Sequence, residues 1–567
     1  MITIKKTVVL GIAGPCFFAH PAIAQADSLN PSDLIPRKSP FPEIPRLPQS
    51  DKPLKTPLLP GQNPPVLVDE SVQVETFIFK GNTVYSDLDL SKIAVPYLQE
   101  PQTLSDLQEL TQKISEFYAN AGYVATSATI AQQENSKITP DKAVITILIT
   151  EGKLEAVDIQ GADRLEKYIR RRLPKPNTII NEDTILEDIR LLQANPLVKQ
   201  ISASLIKGAY RDRFTLNVEV VPAKQRSLAL ILDNDRSPSI GSFQRSVDFT
   251  DRNLLGLGDT VNFKFSNTDG SNSVQFSYFL PVNSQNGTVG VKYFYGSSKV
   301  VEDPFDEVDI SAVADYTEVF FRQPIIHEAT ADSVQEFALG LSFSRETSDF
   351  TLLGIPFPVS RGSDPMGETK TSVLRFSQDW SKQSAENVFF ARSQFSFGLP
   401  ILDATINSTG PDGRFFLWRL QGLWGRRLFD DWTITFRSEL QLADSPLVPA
   451  EQFTLGGFSS ARGYRQNLLL GDNGWLGAVE LGIPLYSGSL GNLSLAPFFE
   501  VGTVWDNQPQ LIATPSTLAS TGLGLRFQAK DCLSARIDWG IPLINMPDNR
   551  STLQESGVYF SLRCDIL

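Results

Sequence analysis

From Arg226 to Leu567 the chain alternates apolar and polar residues strand after strand, which limits its fold more than any other feature. Trp432, Ile434, Phe436, Ser438, Leu440 and Leu442 interleave with Thr433, Thr435, Arg437, Glu439, Gln441 and Ala443. Successive strand side chains point to opposite faces, so such a sheet is apolar on one side and polar on the other. A soluble sandwich alternates too, and one strand decides nothing. About sixteen such segments in roughly 340 residues, with almost no helical interruption, predict an antiparallel barrel in lipid. The segments run from 226–234 to 556–566, and their connections carry independent weight. Connections after even-numbered strands are short, as at Phe429-Asp430, whereas the long ones at 347–368, 399–412 and 444–473 follow odd-numbered strands. Outer-membrane barrels have short periplasmic turns and long external loops in this way.

Composition agrees. No apolar run of about 18 residues follows the N-terminus, which excludes a helical membrane protein. A mean hydropathy of −0.11 does not exclude a barrel, because half of each strand faces water. Thirty-six Phe and 7 Trp against 3 Met and 2 His fit aromatic girdles on a β-rich chain. The net charge of −13 argues against nucleic acid as a partner.

The N-terminus, residues 1–24, reads as a secretory signal. Lys5 and Lys6 precede an apolar core at Val8–Phe18, and Ala22-Ile23-Ala24 is an A-x-A cleavage site, with Ala26 as the alternative. Cys16 follows Pro15 in a short apolar run, so no lipid anchor is expected there. Residues 25–70 are dense in proline, forbid a continuous helix and form an extended tether.

Two α+β modules are expected at 71–151 and 152–222, each in the order strand, helix, helix, strand, strand. In the first, Thr103 with Asp106 caps a helix whose buried stripe is Leu107, Leu110, Ile114 and Phe117, and Gly122 ends it. In the second, a solvated helix end is the favoured reading of Arg170-Arg171-Arg172, and a contact patch the lesser one. Cys532 shares strand parity with Ser534, Arg536 and Asp538, whereas Cys564 follows Phe560 and Leu562. Cross-strand partners share a face, so two thiols are expected rather than a disulfide.

The barrel domain, 223–567, carries its most unusual sequence in the loop 444–473. Phe453-Thr454-Leu455-Gly456-Gly457-Phe458-Ser459-Ser460-Ala461-Arg462-Gly463-Tyr464 is rich in glycine and aromatics, unlike a solvated external loop. Arg462 is the expected lone cation near its tip, and a buried guanidinium needs an anion. Parity turns Pro497, Phe499 and Val501 to lipid, so Phe498, Glu500 and Gly502 face inward. The expectation is a loop folded back into the lumen, with Gly456, Gly457 and Gly463 shaping it and Arg462 held by Glu500.

These residues resemble the two-partner secretion transporters of the haemolysin-activator type, within the superfamily of outer-membrane POTRA barrels. The resemblance covers nearly all of the mature chain. It implies that the modules are POTRA (polypeptide-transport-associated) domains and that loop 444–473 is the sixth external loop, tipped by a [VI]-R-G-[FY] motif. Ala461 replaces the aliphatic residue, while Arg462, Gly463 and Tyr464 match. The family's F-x-D-x-G strand motif appears as Phe498-Phe499-Glu500-Val501-Gly502, with Glu in place of Asp. Leu254-Leu255-Gly256-Leu257-Gly258-Asp259 resembles a recurring turn of these transporters; by itself it is a tight turn and no phosphate loop, because no helix follows. The Pro-rich tether argues against the plug helix common in relatives. Tyr559 and Phe560 stand in for the usual terminal Phe.

The resemblance implies a channel in the outer membrane that exports one large secreted protein without ATP or a cofactor. Its partner would bind somewhere within 71–222, in the periplasm. Outer-membrane lipid and the barrel-assembly machinery are the other expected partners. An outer-membrane insertase is the rival reading, and a passive porin the next. No enzyme is expected: His327 is the only His after the signal, and no catalytic or metal-ligand cluster is visible.

Overall fold

The computed structural model describes residues 54–55, 71–131, 138–139, 142–210, 212–508, 516–529, 532–546 and 552–567. The expected signal and most of the tether lie outside the described residues.

In the first module, Val74–Lys80 runs parallel to Lys142–Thr150, which takes Ser127–Ile130 antiparallel on its other edge. Helices α1 (Asp87–Ala94) and α2 (Leu104–Asn120) cover the sheet. The Thr103–Asp106 capping box forms as expected, and Gly122 (φ +87°) follows the end of α2. The buried stripe is Leu107, Leu110, Ile114 and Tyr118; Phe117, expected there, is 37% exposed. Four residues after Ile114 the helical period returns to the core, so position 118 rather than 117 completes the stripe. The Tyr118 hydroxyl donates to buried Glu151, which also accepts from the backbone N–H groups of Thr83 and Val84. Burial pushes the Glu151 carboxyl up, but its hydrogen bonds, led by those from Thr83, outweigh burial and hold it below its ordinary value.

The second module repeats the plan. Lys153–Gln160 lies parallel to Arg213–Pro222, which pairs antiparallel with Val198–Lys207. Helices α3 (Glu166–Arg170) and α4 (Glu182–Ala194) pack on it. The two modules are joined where Asn181 Nδ2 donates to Ala121 O (3.0 Å) and Glu182 N to Gly122 O (2.8 Å).

The barrel has sixteen antiparallel strands: β1 (Arg226–Asp233), β2 (Gln244–Asp251), β3 (Thr260–Asn267), β4 (Ser271–Pro281), β5 (Thr288–Lys299), β6 (Ile310–Ala329), β7 (Ser333–Leu352) and β8 (Glu368–Ser384), then β9 (Asn387–Gly398), β10 (Phe416–Arg427), β11 (Thr433–Ala443), β12 (Asn473–Gly488), β13 (Gly491–Trp505), β14 (Thr517–Ala529), β15 (Leu533–Pro542) and β16 (Val558–Asp565). It closes where β16 pairs with β1, from Ser561↔Asp233 to Asp565↔Ala229. Most of these ranges match the sequence expectation to a few residues. β6 and β7 run longer than their expected spans of 309–323 and 332–347; β6 passes Pro324 because a register shift between Pro324 and Ile326 absorbs the missing N–H. Parity holds along the wall: Phe436, Leu442 and Phe499 face outward, while Gln441, Glu500 and Asp538 are buried in the lumen.

Three expectations need correction. Parity misplaces Cys532 and Cys564: Cys532 precedes β15, outside the ladder where alternation applies, and its Sγ stands 3.1 Å from that of Cys564. Tyr559 is fully buried in the lumen, its hydroxyl donating to Tyr464 O, and presents no side chain at the barrel's outer face. The arginine run is not simply solvated. Arg172 stacks on Tyr168 at 3.5 Å and donates to Asn286 Oδ1 (3.0 and 2.6 Å) in the β4–β5 turn, while Arg164 Nη2 donates to Asn253 O (3.0 Å). The turn at 254–259 is the socket for this contact. A Cβ on Gly258 would fall 2.2 Å from the Tyr168 ring, so glycine there lets the second module seat on the barrel rim.

Candidate functional site: the loop inside the barrel

Residues 444–472 leave β11 at the external rim and turn back into the barrel. A short hairpin, Phe453–Leu455 against Leu469–Gly471, forms the stem. Gly456 (φ +110°), Gly457 (φ +98°) and Gly463 (φ +105°) adopt backbone conformations that L side chains rarely take, and they bend the segment at its stem and tip. The tip needs a second glycine on the wall: a Cβ on Gly540 of β15 would lie 2.5 Å from the Arg462 carbonyl carbon.

Arg462 is 3% exposed. Its Nε and Nη2 reach Glu500 Oε1 at 3.0 and 2.7 Å, and its backbone N–H donates to Glu500 Oε2 at 2.7 Å. The expected Arg462–Glu500 pair therefore forms, and the extra methylene of Glu lets one carboxylate take both side-chain and backbone donors. The guanidinium also stacks on Phe498, 3.4 Å from the ring centroid. Gly502, the last expected member, leaves room for the stem: a Cβ there would meet Leu455 at 2.6 Å.

The sequence reading missed most of the surrounding charge. Arg462 Nη1 also binds Glu480 Oε2 (2.8 Å) on β12 and Asp538 Oδ1 (2.9 Å) on β15. Asp538 is held in turn by Arg526 (2.7 Å) and Arg536 (2.5 Å), and Arg437 stands 3.7 Å from Glu500. Four guanidiniums thus share three carboxylates drawn from β12, β13 and β15. Inward parity could have flagged Glu480 and Asp538 as candidates, but their convergence on one loop residue depends on barrel stagger.

Arg462 is also not the loop's lone cation, as half-buried Arg465 lies three residues on. Arg465 grips Glu302 (3.1 and 2.7 Å) of the β5–β6 loop, Glu555 (3.3 Å) of the β15–β16 loop and Ser239 Oγ (3.3 Å) of the β1–β2 loop. At the root, buried Glu451 pairs with Arg375 of β8 at 2.6 Å. Gln441 of β11 donates to Glu451 O and Asp472 O, fixing both ends of the loop. Tyr464 Oη donates to Ala519 O (2.7 Å) and accepts from Ile544 N (3.1 Å). The segment therefore lies inside the lumen and is held by ionic contacts at its root, its tip and the external mouth. Charge-assisted hydrogen bonds of this kind are about twice as strong as neutral ones.

Among the described residues no group of three or more His, Cys, Asp or Glu is placed to hold a metal ion.

Comparison with known proteins agrees with this geometry. Residues 363–527, which include the loop, Glu480 and Glu500, match the family model of the haemolysin secretion/activation protein ShlB/FhaC/HecB. Residues 72–152 match the POTRA domain of ShlB type. The outer membrane transporter CdiB of Dickeya dadantii is 22% identical over 84% of this chain and 85% of its own length. The heme/hemopexin transporter protein HuxB of Haemophilus influenzae is also 22% identical, over 84% of each chain. Among solved structures, CdiB from Escherichia coli superposes with a TM-score of 0.66 at 18% identity, covering 90% of this chain and 93% of the other. BamA from Haemophilus ducreyi, lacking POTRA domains 1–3, reaches a TM-score of 0.50 at 13% identity, covering 88% of this chain and 99% of the other. The chain is thus similar to the two-partner secretion transporters of the ShlB/FhaC/HecB type, over the barrel segment 363–527 and the ShlB-type POTRA domain at 72–152.

Proposed function

We propose that this protein carries one large secreted partner across the outer membrane through the barrel lumen, with loop 444–473 as the movable obstruction. The observation that carries the reading is the buried Arg462–Glu500 contact inside a closed barrel, in line with two periplasmic modules. An unfolded segment of the partner binds the modules, enters the lumen as the loop shifts, and folds outside. Folding on the far side supplies the direction of transport, so neither ATP nor a cofactor enters the scheme.

Two features support the modules as the receiving surface. The edge of Val198–Lys207 accepts the chain's own Leu54–Lys55 as a parallel strand, so this edge is competent for strand addition. A cavity of about 910 Å³ opens between the second module and the barrel rim, with Leu154, Ile185, Leu191, Ile325 and His327 among its lining residues. Lipid contacts the outward aromatic faces of the strands, and the barrel-assembly machinery inserts the protein. Glu500, Gly456, Gly457, Phe498 and Gly502 position the loop, and Arg462, Gly463 and Tyr464 form its moving tip.

Depletion of the protein tests the reading against the insertase alternative. Loss of a single exoprotein from the medium, with other outer-membrane barrels intact, is the expected result. A general fall in barrel proteins would overturn it.

A further inference from the structure

Cys532 and Cys564 take no part in the loop or its anchors, yet the fold brings them into contact. Cys564 lies in β16, paired with Leu533 of β15 on one side and with Leu230 of β1 on the other. Cys532 sits in the bend before β15, and the Asp565 N–H donates to its carbonyl at 3.0 Å. That bend turns its side chain out of the strand alternation and toward its neighbour. The sulfurs are 3.1 Å apart, and both residues are half-buried rather than sealed in the wall. Both stand at the rim facing the modules, because β1 leaves the second module at that rim and β16 runs antiparallel to it.

We infer that Cys532 and Cys564 are a modification site, oxidised in the periplasm to a disulfide that staples the β15–β16 hairpin at the barrel's inner rim. The inference rests on the outer-membrane placement of the barrel and not on what it exports. A bonded pair stands about 2 Å apart, so closure needs roughly 1 Å of side-chain movement. In the reaction one thiolate attacks the disulfide of a periplasmic thiol–disulfide oxidoreductase, forming a mixed disulfide and releasing one of its sulfurs. The second thiolate then displaces the other. Two S–H bonds are lost and one S–S bond forms; the oxidoreductase takes the two electrons, and the two protons end on its thiols or in solvent. The periplasm favours this direction. The staple ties the inner end of β16 to β15 beside the closing seam, where β16 meets β1 over only five residue pairs.

Membranes are quenched in acid, denatured and labelled with a polyethylene-glycol maleimide, with and without prior reduction. The C532S/C564S double variant sets the baseline. Wild type should carry no more label than that baseline before reduction and two more after it, while C532S and C564S each carry one more without reduction. Two additional labels on unreduced wild type would overturn the inference, as would a reductant-sensitive band at twice the mass. If the variants fail to assemble, peptide mass spectrometry of wild type decides: a linked Cys532–Cys564 peptide pair is expected, and two separate thiol peptides refute it. None of these readouts depends on secretion of a partner.

Discussion

Among the described residues, Arg462 alone touches Glu500, Glu480 and Asp538 together, and Arg462→Ala removes that side chain. Deleting one partner of a buried ion pair costs about 3–5 kcal/mol, because the opposite charge stays buried. The lower part of that range applies here. Glu500 keeps Arg437 at 3.7 Å, and Asp538 keeps Arg526 and Arg536. At about 1.4 kcal/mol per tenfold, an undocked tip becomes roughly a hundred- to a thousand-fold more populated. The barrel itself should survive, since its ladder is closed without the loop and Glu451, Tyr464 and Arg465 still hold the segment elsewhere. Single-channel recording in planar bilayers reads the change: the variant should flicker to larger conductances far more often than wild type, with unaltered heat-modifiable mobility of the folded barrel. Secretion of the partner should fall, because an unpinned tip no longer returns to one closed position. Arg462→Lys should recover only part of the closure, since a single ammonium cannot span three carboxylates as the planar fork does. Wild-type conductance and wild-type secretion in Arg462→Ala would refute the reasoning.

Three further outcomes follow from other anchors. Glu451→Gln leaves Arg375 buried without its carboxylate, and protease sensitivity of segment 444–473 in intact cells should rise while β-sheet content by circular dichroism stays constant. Arg465→Ala unties three external loops at once, so conductance should rise in partner-free liposomes, and Arg465→Lys should restore closure incompletely. In the second module, burial first, and then neighbouring Glu187, push the Asp188 carboxyl up to about 7 from an ordinary 3.8. The folded module therefore holds this proton more tightly than the unfolded chain, so its stability falls as pH rises from about 4 to 7. Hydrogen exchange in α4, corrected for intrinsic rates, should be slower at pH 5 than at pH 7.5, and Asp188→Asn should erase that difference.

The loop shows where sequence legibility stops. Arg462 and Glu500 were readable because a glycine-rich loop with a cation is anomalous, and because strand parity gives every wall residue a direction. Glu480 and Asp538 obey the same parity, but which inward carboxylate meets which arginine is set by stagger between strands far apart in sequence. Arg465 was overlooked because its partners Ser239, Glu302 and Glu555 belong to three separate loops that only closure of the barrel gathers. The Tyr118-for-Phe117 exchange is of another kind: it was a question of helical phase and needed only a stricter count.

Alternation, together with the short and long connections, pointed to the membrane-spanning architecture, the approximate strand count and the side of the wall for residues inside the regular ladder, because a period of two is a local property of the backbone. Contacts between strands and loops were decided by tertiary structure: the charge cluster around Arg462, the seat of Tyr168 against Gly258, and the meeting of Cys532 with Cys564. Those depend on register, bend and closure, which link residues hundreds of positions apart and leave no periodic trace in the chain.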